Sequence, residues 1–566
     1  MTAGSRLRTR WLGRLAYDEA WELQRAIWEG RTGASPSGVR TGDDYLLLVE
    51  HPHVYTVGRN GDGSNLLVDP ARLATLSATM HHVDRGGDIT YHGPGQLVGY
   101  PIFEVPRLRT AGVPGGYDMV GHVRRIERLL IATLADFGIE AWAEDGYTGV
   151  WTAQGKVAAI GVRVARGVSM HGFALNVDPD LDYFGHIVPC GITDRQVTSM
   201  RRLLDREVTL EEVVHALVTH VTEVFGPGAS WTAPAETQLA AFSRGSRKRA
   251  FDVDRMVAAG VFSPEARNEV PVTIRGLLNG EPERPEWMRV KADLSSEGYQ
   301  DLKRLMRDLE LNTVCEEAGC PNIYECWGQG TATLMLLGDR CTRACAFCDV
   351  TTGRPGEVDL DEPRRAAEAV EKMGLSHTVL TSVNRDDLAD GGSAIFAETI
   401  RRIRDRLPGC DVEVLIPDFK GERAPLETVM AERPDVLNHN TETVLRLQRD
   451  IRTAANYGRS LALLARAKWL APAGTVKSGL IVGMGETEDE VLGALADLRA
   501  VGVDIVTVGQ YARPTPRHRP IDRYVHPDEF DRYRDEGERL GLPHVESGPL
   551  VRSSYHAKDS LTAAAH

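Results

Sequence analysis

Six of the chain's eight cysteines fall within 34 residues, as two triplets of different spacing: Cys315-x4-Cys320-x5-Cys326 and Cys341-x3-Cys345-x2-Cys348. Thiolates are soft, anionic ligands, and a short, bent stretch of backbone that gathers them suits an iron–sulfur cluster. Three ligands per group is the informative count, because a four-iron cluster held by three cysteines keeps one iron open for something else. Structural zinc usually pairs C-x2-C units and closes with four ligands. Disulfides suit small secreted chains, and the basic start, Met1 to Arg14, lacks the apolar run of a signal peptide before Trp11-Leu12. The other two cysteines stand alone. Cys410 reads as an inert core thiol, and Cys190, between Pro189 and Gly191, means little by itself.

The elements that must position the triplets are legible in the second half. Short apolar runs sit at Thr333–Leu337, Thr378–Ser382, Val412–Ile416, Asp435–Asn438, Lys477–Val482 and Ile505–Val508, with helical patterns between them at Pro363–Lys372, Ala394–Arg406 and Glu488–Ala500. Six βα units predict a parallel barrel or partial barrel, whose chemistry sits at the C-terminal ends of the strands. The second triplet follows the first of these strands. At 566 residues the chain is too long for one ordinary core. A seam is expected after Val224-Phe225, where Gly226-Pro227-Gly228 is followed by a mixed stretch with the basic run Arg244-Gly245-Ser246-Arg247-Lys248-Arg249. This gives a first domain at 1–232, a linker at 233–283 and a second domain at 284–566. With 42% hydrophobic and 26% charged residues the chain is that of a soluble globular protein. No run approaches the roughly 18 apolar residues of a membrane span. A net charge of −14 argues against general nucleic-acid binding. Eight cysteines with no secretory signal imply a reducing, cytoplasmic setting.

The second triplet resembles the radical S-adenosylmethionine (SAM) signature, in which the open iron takes SAM. The passage Thr313–Asn322 (TVCEEAGCPN), Glu325-Cys326-Trp327, Leu337–Arg343 (LGDRCTR), Thr352–Pro355 (TGRP), Thr381–Asp387 (TSVNRDD), Leu415–Gly421 (LIPDFKG), Asn438-His439-Asn440, Lys477–Thr487 (KSGLIVGMGET) and Arg552–Tyr555 (RSSY) together resemble lipoyl synthase, from about residue 284 to 560. The resemblance implies that Cys341, Cys345 and Cys348 hold the cluster that reduces SAM to methionine and a 5′-deoxyadenosyl radical. It implies that Cys315, Cys320 and Cys326 hold an auxiliary cluster whose fourth ligand is a serine, Ser553 or Ser554. That cluster would surrender sulfides to C6 and C8 of an octanoyl chain. Asn384, Arg385 and Asp387 would contact SAM or substrate, with salt bridging as the plainer alternative. Gly479, Gly483 and Gly485 would permit close approach to SAM, or serve only as barrel-turn glycines. Arg552 would control access to the auxiliary cluster, or pair with a carboxylate. The chain departs from the family at Thr441 and Leu445, where Ile and Pro are expected.

The first half carries a second set: Arg85–His92 (RGGDITYH) running into Gly93-Pro94-Gly95-Gln96, Gly155–Gly161 (GKVAAIG), His171–Asn176 (HGFALN) and Val188–Ile192 (VPCGI). This set resembles the octanoyltransferase family of the biotin/lipoate protein ligase superfold, an α+β domain. Moving an acyl group from a thioester to a lysine needs no ATP, only a nucleophile that holds the acyl group transiently. The resemblance assigns that role to Cys190. Lys156 would stabilise the thiolate and exchange its proton, in a site expected to be largely desolvated. Arg85, Gly86, Gly87, Asp88, Ile89, Thr90, Tyr91 and His92, with Ala159, Ile160, Gly161, His171, Gly172, Phe173 and Ala174, would line the acyl site. His92 and His171 would orient the thioester or be hydrogen-bonded core histidines.

Together these imply an α/β chain that joins a ligase-like domain to a radical SAM (β/α)6 partial barrel and makes lipoyl groups in two steps. The implied cofactors are two 4Fe-4S clusters and SAM. The implied partners are octanoyl-acyl carrier protein, lipoyl domains of 2-oxoacid dehydrogenases and the glycine cleavage H protein, a ferredoxin- or flavodoxin-type reductant and an iron–sulfur carrier, with no nucleic acid and no membrane. Two rivals stand beside it: a first domain that only docks lipoyl domains, and a second that only carries electrons.

Overall fold

Two eight-stranded sheets organise the chain, one in each of two units, residues 1–242 and 243–566. The structure is a computed structural model that describes residues 6–34, 42–110, 113–188, 196–225, 235–239, 282–288, 304–313, 333–554 and 557–564. Cys190, the triplet Cys315, Cys320 and Cys326, and the basic run 244–249 lie outside the described residues.

The first unit runs β1 (Leu7–Arg14), α1 (Tyr17–Thr32), β2 (Asp44–Glu50), β3 (Val54–Val57), α2 (Pro70–Thr75), β4 (Thr79–His82), β5 (Ile89–His92) and β6 (Gln96–Ile102). After these come β7 (Arg107–Thr110), β8 (Val113–Tyr117), α3 (Met119–Asp136), β9 (Trp142–Glu144), β10 (Tyr147–Thr152), β11 (Gly155–Ala165), β12 (Val168–Asn176), α4 (Met200–Leu204), α5 (Leu210–Phe225) and β13 (Ala235–Leu239). The main sheet has the order β13-β1-β2-β6-β12-β11-β10-β9, parallel at β13–β1–β2 and antiparallel from β2 onward. The stretch 235–239, read above as the start of a linker, instead adds an edge strand on β1. Alternation along the strands builds the core. Leu46, Leu48, Leu97 and Leu175 are buried together with Ile126, Leu129 and Leu130 of α3 and Val214, Leu217 and Val221 of α5. Each such side chain contributes about 1.5–3 kcal/mol by leaving water. The Asp118 side chain accepts from Gly121 N at 2.8 Å and starts α3. A second, small sheet, β4-β3-β5, carries the ITYH strand.

The second unit contains β14 (Asn312–Thr313), β15 (Thr333–Leu336), β16 (His377–Ser382), β17 (Asp411–Leu415), β18 (Val436–Asn438), β19 (Thr475–Val482), β20 (Ile505–Gln510) and β21 (His544–Gly548), paired in strict chain order. All neighbours from β15 to β21 are parallel, and β14 caps the β15 edge antiparallel. Among the described residues the two edges do not meet, so this is a partial barrel. Six strands match the apolar runs of the sequence, and their near-continuous burial is what a sheet covered on both faces requires. The seventh parallel strand, His544–Gly548, has one buried apolar residue, Val545, and gave no apolar run to find. Glu362–Met373, Ser393–Arg406 and Glu488–Ala500 are helices at the expected places. Thr487 and Glu490 form a reciprocal cap that starts the last of these where the KSGLIVGMGET loop ends. Among the described residues no helix is long and apolar enough to cross a membrane.

Candidate active sites

At the C-terminal ends of the second unit's strands lies a cavity of about 1020 Å³. Cys341, Cys345 and Cys348 line it together with Asn384, Gly479, Arg552, Ser553 and Ser554. Leu337 and Gly338, both with positive φ (69° and 88°), turn the chain out of β15 toward the cysteine loop. The buried Glu362 carboxylate accepts from Leu337 N at 2.8 Å and fixes that exit. The loop is then pinned on its far side. Arg519 N donates to Ala346 O at 3.0 Å, and His518 Nε2 lies 3.0 Å from Cys348 O.

The three thiols fit an iron–sulfur cluster. All face one cavity, and Cys341 Sγ accepts from Arg343 N and Asn384 N, each at 3.4 Å, a pattern that suits an anionic ligand. Burial pushes the Cys348 thiol up to about 12 and raises Cys345 too, so these groups stay neutral until a cationic centre joins them. Among the described residues, no three or more His, Cys, Asp and Glu gather closely enough for a single metal ion.

Two further polar groups, Asn440 of the quoted Asn438-His439-Asn440 and the nearby Glu442, stand on the same wall. Asn440 is buried, its Oδ1 has no hydrogen-bond partner, and it borders the cavity. Glu442 takes a left-handed backbone (φ 63°), a strained state for a non-glycine residue. Glu442 N donates to Gly479 O at 2.9 Å and Ile481 N to Glu442 O at 2.8 Å, which stitches the HNTE turn to β19. Burial raises the Glu442 carboxyl, against the pull of Arg452. A side chain at Gly479 would put its Cβ 2.8 Å from both Asn440 Oδ1 and Thr507 Oγ1, so the glycine keeps that wall open. The signal that marked Asn384, a polar residue just past a barrel strand, was equally present at Asn440 and Glu442.

The other named residues, apart from Arg552, lie away from the cavity wall. Arg385 is buried and clamps Asp387, Nη2 to Oδ2 at 2.8 Å, while donating to Gly356 O. That arrangement is the salt-bridging alternative. Gly483 (φ 100°) and Gly485 (φ 109°) form the turn before Thr487, and a Cβ on Gly483 would strike Gln510 Nε2 at 2.1 Å. Arg552 Nη1 donates to Val551 O at 2.7 Å. Cys410 is buried, and burial pushes its thiol up to about 11, as in an inert core residue.

In the first unit the motifs converge through hydrogen bonds to uncharged acceptors. Arg85 is buried and donates to Thr56 O (2.6 Å), Thr56 Oγ1 (3.0 Å) and Gly86 O (3.0 Å). His92 Nδ1 lies 2.8 Å from Gln96 Oε1, while Gln96 Nε2 donates to Asn176 Oδ1 at 2.9 Å and Asn176 Nδ2 to Thr198 O at 3.0 Å. Gln96 therefore receives from Nδ1–H. The other ring nitrogen, Nε2, accepts from Thr56 Oγ1 at 3.4 Å. Burial holds His92 down at about 3, so the ring is neutral. Thr198 N donates to Lys156 O at 2.9 Å, which completes a path from Lys156 to Arg85. Gln96 and Asn176 were quoted in the motifs without a role, and Thr56, inside the apolar strand VYTV, gave no signal.

The remaining named residues form the walls. Gly86 N donates to Val162 O at 3.2 Å, and a Cβ on Gly161 would lie 3.0 Å from Gly86 O, so RGG rests directly on β11. Gly87 needs its positive φ of 85°. Asp88 is half-buried and accepts from Asn65 Nδ2. Ile89, Thr90 and Tyr91 are buried in β5. Ala159, Ile160 and Gly161 of β11 pair with Ala174, Phe173 and Gly172 of β12. His171 has φ 57°, and its Nε2 donates to Asp84 Oδ1 at 2.7 Å; Asp84 also pairs with Arg163 at 2.7 Å. Burial lowers His171 despite Asp84. Lys156 is half-buried, with Nζ over the Trp151 ring at 5.1 Å. Both flanks of the Cys190 segment are described. Val188 N donates to Asn65 O beside Asp88, and Lys156 N donates to Gln196 O.

Comparison with known proteins places both halves. A lipoyl synthase of Rubrobacter xylanophilus is 57% identical over 276 residues, covering 49% of this chain and 86% of that relative. A second, from Symbiobacterium thermophilum, is 52% identical over 303 residues, covering 54% and 94%. The chain belongs to the lipoyl synthase family. Residues 335–498 match the radical SAM superfamily, which implies SAM and iron–sulfur chemistry for this lipoyl synthase half. Residues 16–222 match the lipoyl protein ligase A/B catalytic domain, so the chain is a fusion of that domain with a lipoyl synthase. A solved chain from a structural analysis of a bipartite lipoate protein ligase and its E2 lipoyl domain, from Thermoplasma acidophilum, is 15% identical; the match covers 50% of this chain and 99% of that one, with a TM-score of 0.30.

Proposed function

We propose that the chain builds lipoyl groups in two steps on one acceptor protein, one step in each of its two units. The first unit moves octanoyl from acyl carrier protein to a lysine of a lipoyl domain, and the second inserts sulfur at C6 and C8 of that chain. The observation that carries the reading is the fusion itself. A ligase A/B-type domain containing Cys190 and Lys156 precedes a lipoyl synthase half whose cysteine loop faces a large cavity.

In the first step Cys190 Sγ attacks the donor thioester carbonyl, forming the acyl–cysteine bond as the donor thiol leaves. Lys156 takes the cysteine proton and passes it to that leaving thiol. The acceptor lysine then attacks the acyl–cysteine, and Cys190 leaves as thiol with the amine's proton. The described flanks of the Cys190 segment, at Asn65 beside RGGDITYH and at Lys156, support this assignment. The neutral wall formed by Thr56, His92 and Gln96 suits an uncharged acyl chain.

In the second unit, Cys341, Cys345 and Cys348 hold one cluster, and Cys315, Cys320 and Cys326 hold another with Ser553 or Ser554; both serines border the cavity. The clusters and SAM, when bound, supply one-electron reduction, hydrogen abstraction and sulfur. Asn384, Asn440, Glu442 and Gly479 position SAM, while Met335, Leu415 and Leu480 exclude water around an alkyl chain.

The test is mass spectrometry of an apo lipoyl domain incubated anaerobically with the reconstituted protein, octanoyl-acyl carrier protein, SAM and reductant. An octanoyl adduct that becomes lipoyl supports both steps. Octanoyl transfer that persists in Cys190→Ala overturns the covalent step. No adduct, with pre-octanoylated domain still converted, makes the first unit a docking module.

A further inference from the structure

Two sequence motifs of the second unit, TSVNRDD and LIPDFKG, send an aspartate to the same arginine. Arg343 lies between Cys341 and Cys345, and its side chain is 4% exposed. Nε and Nη2 grip Asp386 at 2.7 and 2.8 Å, and Nη2 also reaches Asp418, which is fully buried, at 2.6 Å. One guanidinium thus ties the cysteine loop to the chain leaving β16 and the chain leaving β17. Neighbouring bonds reinforce it. Thr342 N donates to Asn384 O at 3.0 Å, Asp386 N to Thr342 Oγ1 at 3.1 Å, and Lys420 Nζ to Asp386 O at 2.7 Å.

Asp418 is aimed by a strained turn. Phe419 and Lys420 both hold left-handed backbones (φ 45° and 54°) before Gly421 (φ 87°), and Lys420 N donates back to Asp418 Oδ1 at 3.0 Å. Two consecutive non-glycine residues in that region persist only where the surroundings demand it. Here the demand is the placement of Asp418 against Arg343.

The geometry points to Arg343 as a positioning residue that forms the Cys341–Cys348 loop before any cluster arrives, with Asp386 and Asp418 as its two anchors. The inference rests on the proposed ligand role of that triplet. A loop already bent into its liganded shape pays no ordering cost when the cluster binds, so the cluster is taken up faster and held longer. Only arginine does this well, because a lysine keeps the charge but has no planar fork to span two carboxylates.

The experiment uses a full-length background in which Cys315, Cys320 and Cys326 are alanine, so that remaining iron reports on the second triplet. Arg343→Lys, which leaves Asp418 a cation, is reconstituted beside that parent. The parent is expected to hold about four irons. The variant is expected to melt with its parent when iron-free, to hold less than about half the iron, and to lose it to a chelator about tenfold faster. The change that SAM makes in the electron paramagnetic resonance signal should shrink as well, which a merely structural role would not cause. Iron content and chelator resistance equal to the parent overturn the inference. Should Arg343→Lys not fold, Asp386→Asn removes the half-exposed anchor alone, and chelation unchanged there overturns it equally. A parent without iron removes the cluster assignment and this inference together, and that failure is distinguishable because it appears before Arg343 is altered.

Discussion

The two candidate sites handle polarity in opposite ways. In the barrel, charges are buried and opposed: Arg343 with Asp386 and Asp418, and Glu442 with Arg452. Burial alone would raise Asp418, yet the hydrogen bond and charge of Arg343 hold it down at about 2. In the first unit the path from Thr56 through His92, Gln96 and Asn176 to Thr198 is neutral, with the charges of Arg85 and of the Asp84–Arg163 pair beside it. His92 is kept uncharged, Arg85 is satisfied by the hydroxyl and carbonyl oxygens of Thr56 and by Gly86 O, and amides carry the path onward to Lys156. A site for a sulfonium cofactor and an anionic cluster needs fixed ions. A site that passes an uncharged acyl group needs shape, and ions there would have to be desolvated at a cost.

The largest expected effect separates the sites outright. Cys341→Ala should cut sulfur insertion more than about a thousandfold while leaving octanoyl transfer intact, and Cys190→Ala should do the reverse. Product masses on one lipoyl domain read both. Loss of both activities from either single change would mean the two chemistries are not separable by unit.

Acid should also distinguish them. Burial lowers His51 to about 4, His92 to about 3 and His122 to about 4 in the first unit, against His439, at about 4, among the described residues of the second. A histidine with a depressed folded pKa leaves stability whole above its unfolded value of 6.5 and loses it as pH falls toward the folded value. At about pH 5 each costs about 2 kcal/mol. Asp44, raised by burial to about 7, works the other way: its contribution is present in acid and lost as pH rises through about 7, a gain of about 2–3 kcal/mol on acidification. The first unit, with three such histidines against one, should still be the more acid-sensitive between about pH 7.5 and pH 5. Calorimetry at the two pH values should show its transition moving down further; equal shifts would contradict the contrast.

A smaller effect is expected at Glu442. Glu442→Gln keeps the shape but removes the charge facing the cavity, and should weaken SAM binding about tenfold, the worth of one charged hydrogen bond. Equilibrium dialysis of SAM on the reconstituted protein checks it, and octanoyl transfer should not change.

Much of this was legible in advance for a physical reason. Parallel strands buried on both faces print apolar runs, and six of the seven did so; His544–Gly548 is largely half-exposed and did not. The cysteine triplets are legible because ligand spacing is local. Convergence over long chain separations is not. Nothing in TSVNRDD or LIPDFKG says that Asp386 and Asp418 meet on Arg343, 43 and 75 residues away. The polar path of the first unit is similarly dispersed over Thr56, His92, Gln96, Asn176 and Thr198. Residues 235–239 misled for the opposite reason: an edge strand of mixed composition resembles a linker until its partner β1 is known.

The finest test of the contrast is Thr56→Val. The change is nearly isosteric, so the apolar strand VYTV keeps its packing, and Arg85 Nη2 keeps its 2.6 Å bond to Thr56 O. Lost are the hydroxyl's 3.0 Å bond from the same arginine and its bond to His92 Nε2. Those two groups are buried, so the loss should cost about 1–2 kcal/mol of stability and let RGG shift on β11. Octanoyl transfer should show a KM raised severalfold with kcat little changed, because the hydroxyl shapes the wall rather than touching the transferred carbonyl. If kcat fell instead by two orders of magnitude, Thr56 and His92 would belong to the reacting groups, and the first site would not be the neutral enclosure described.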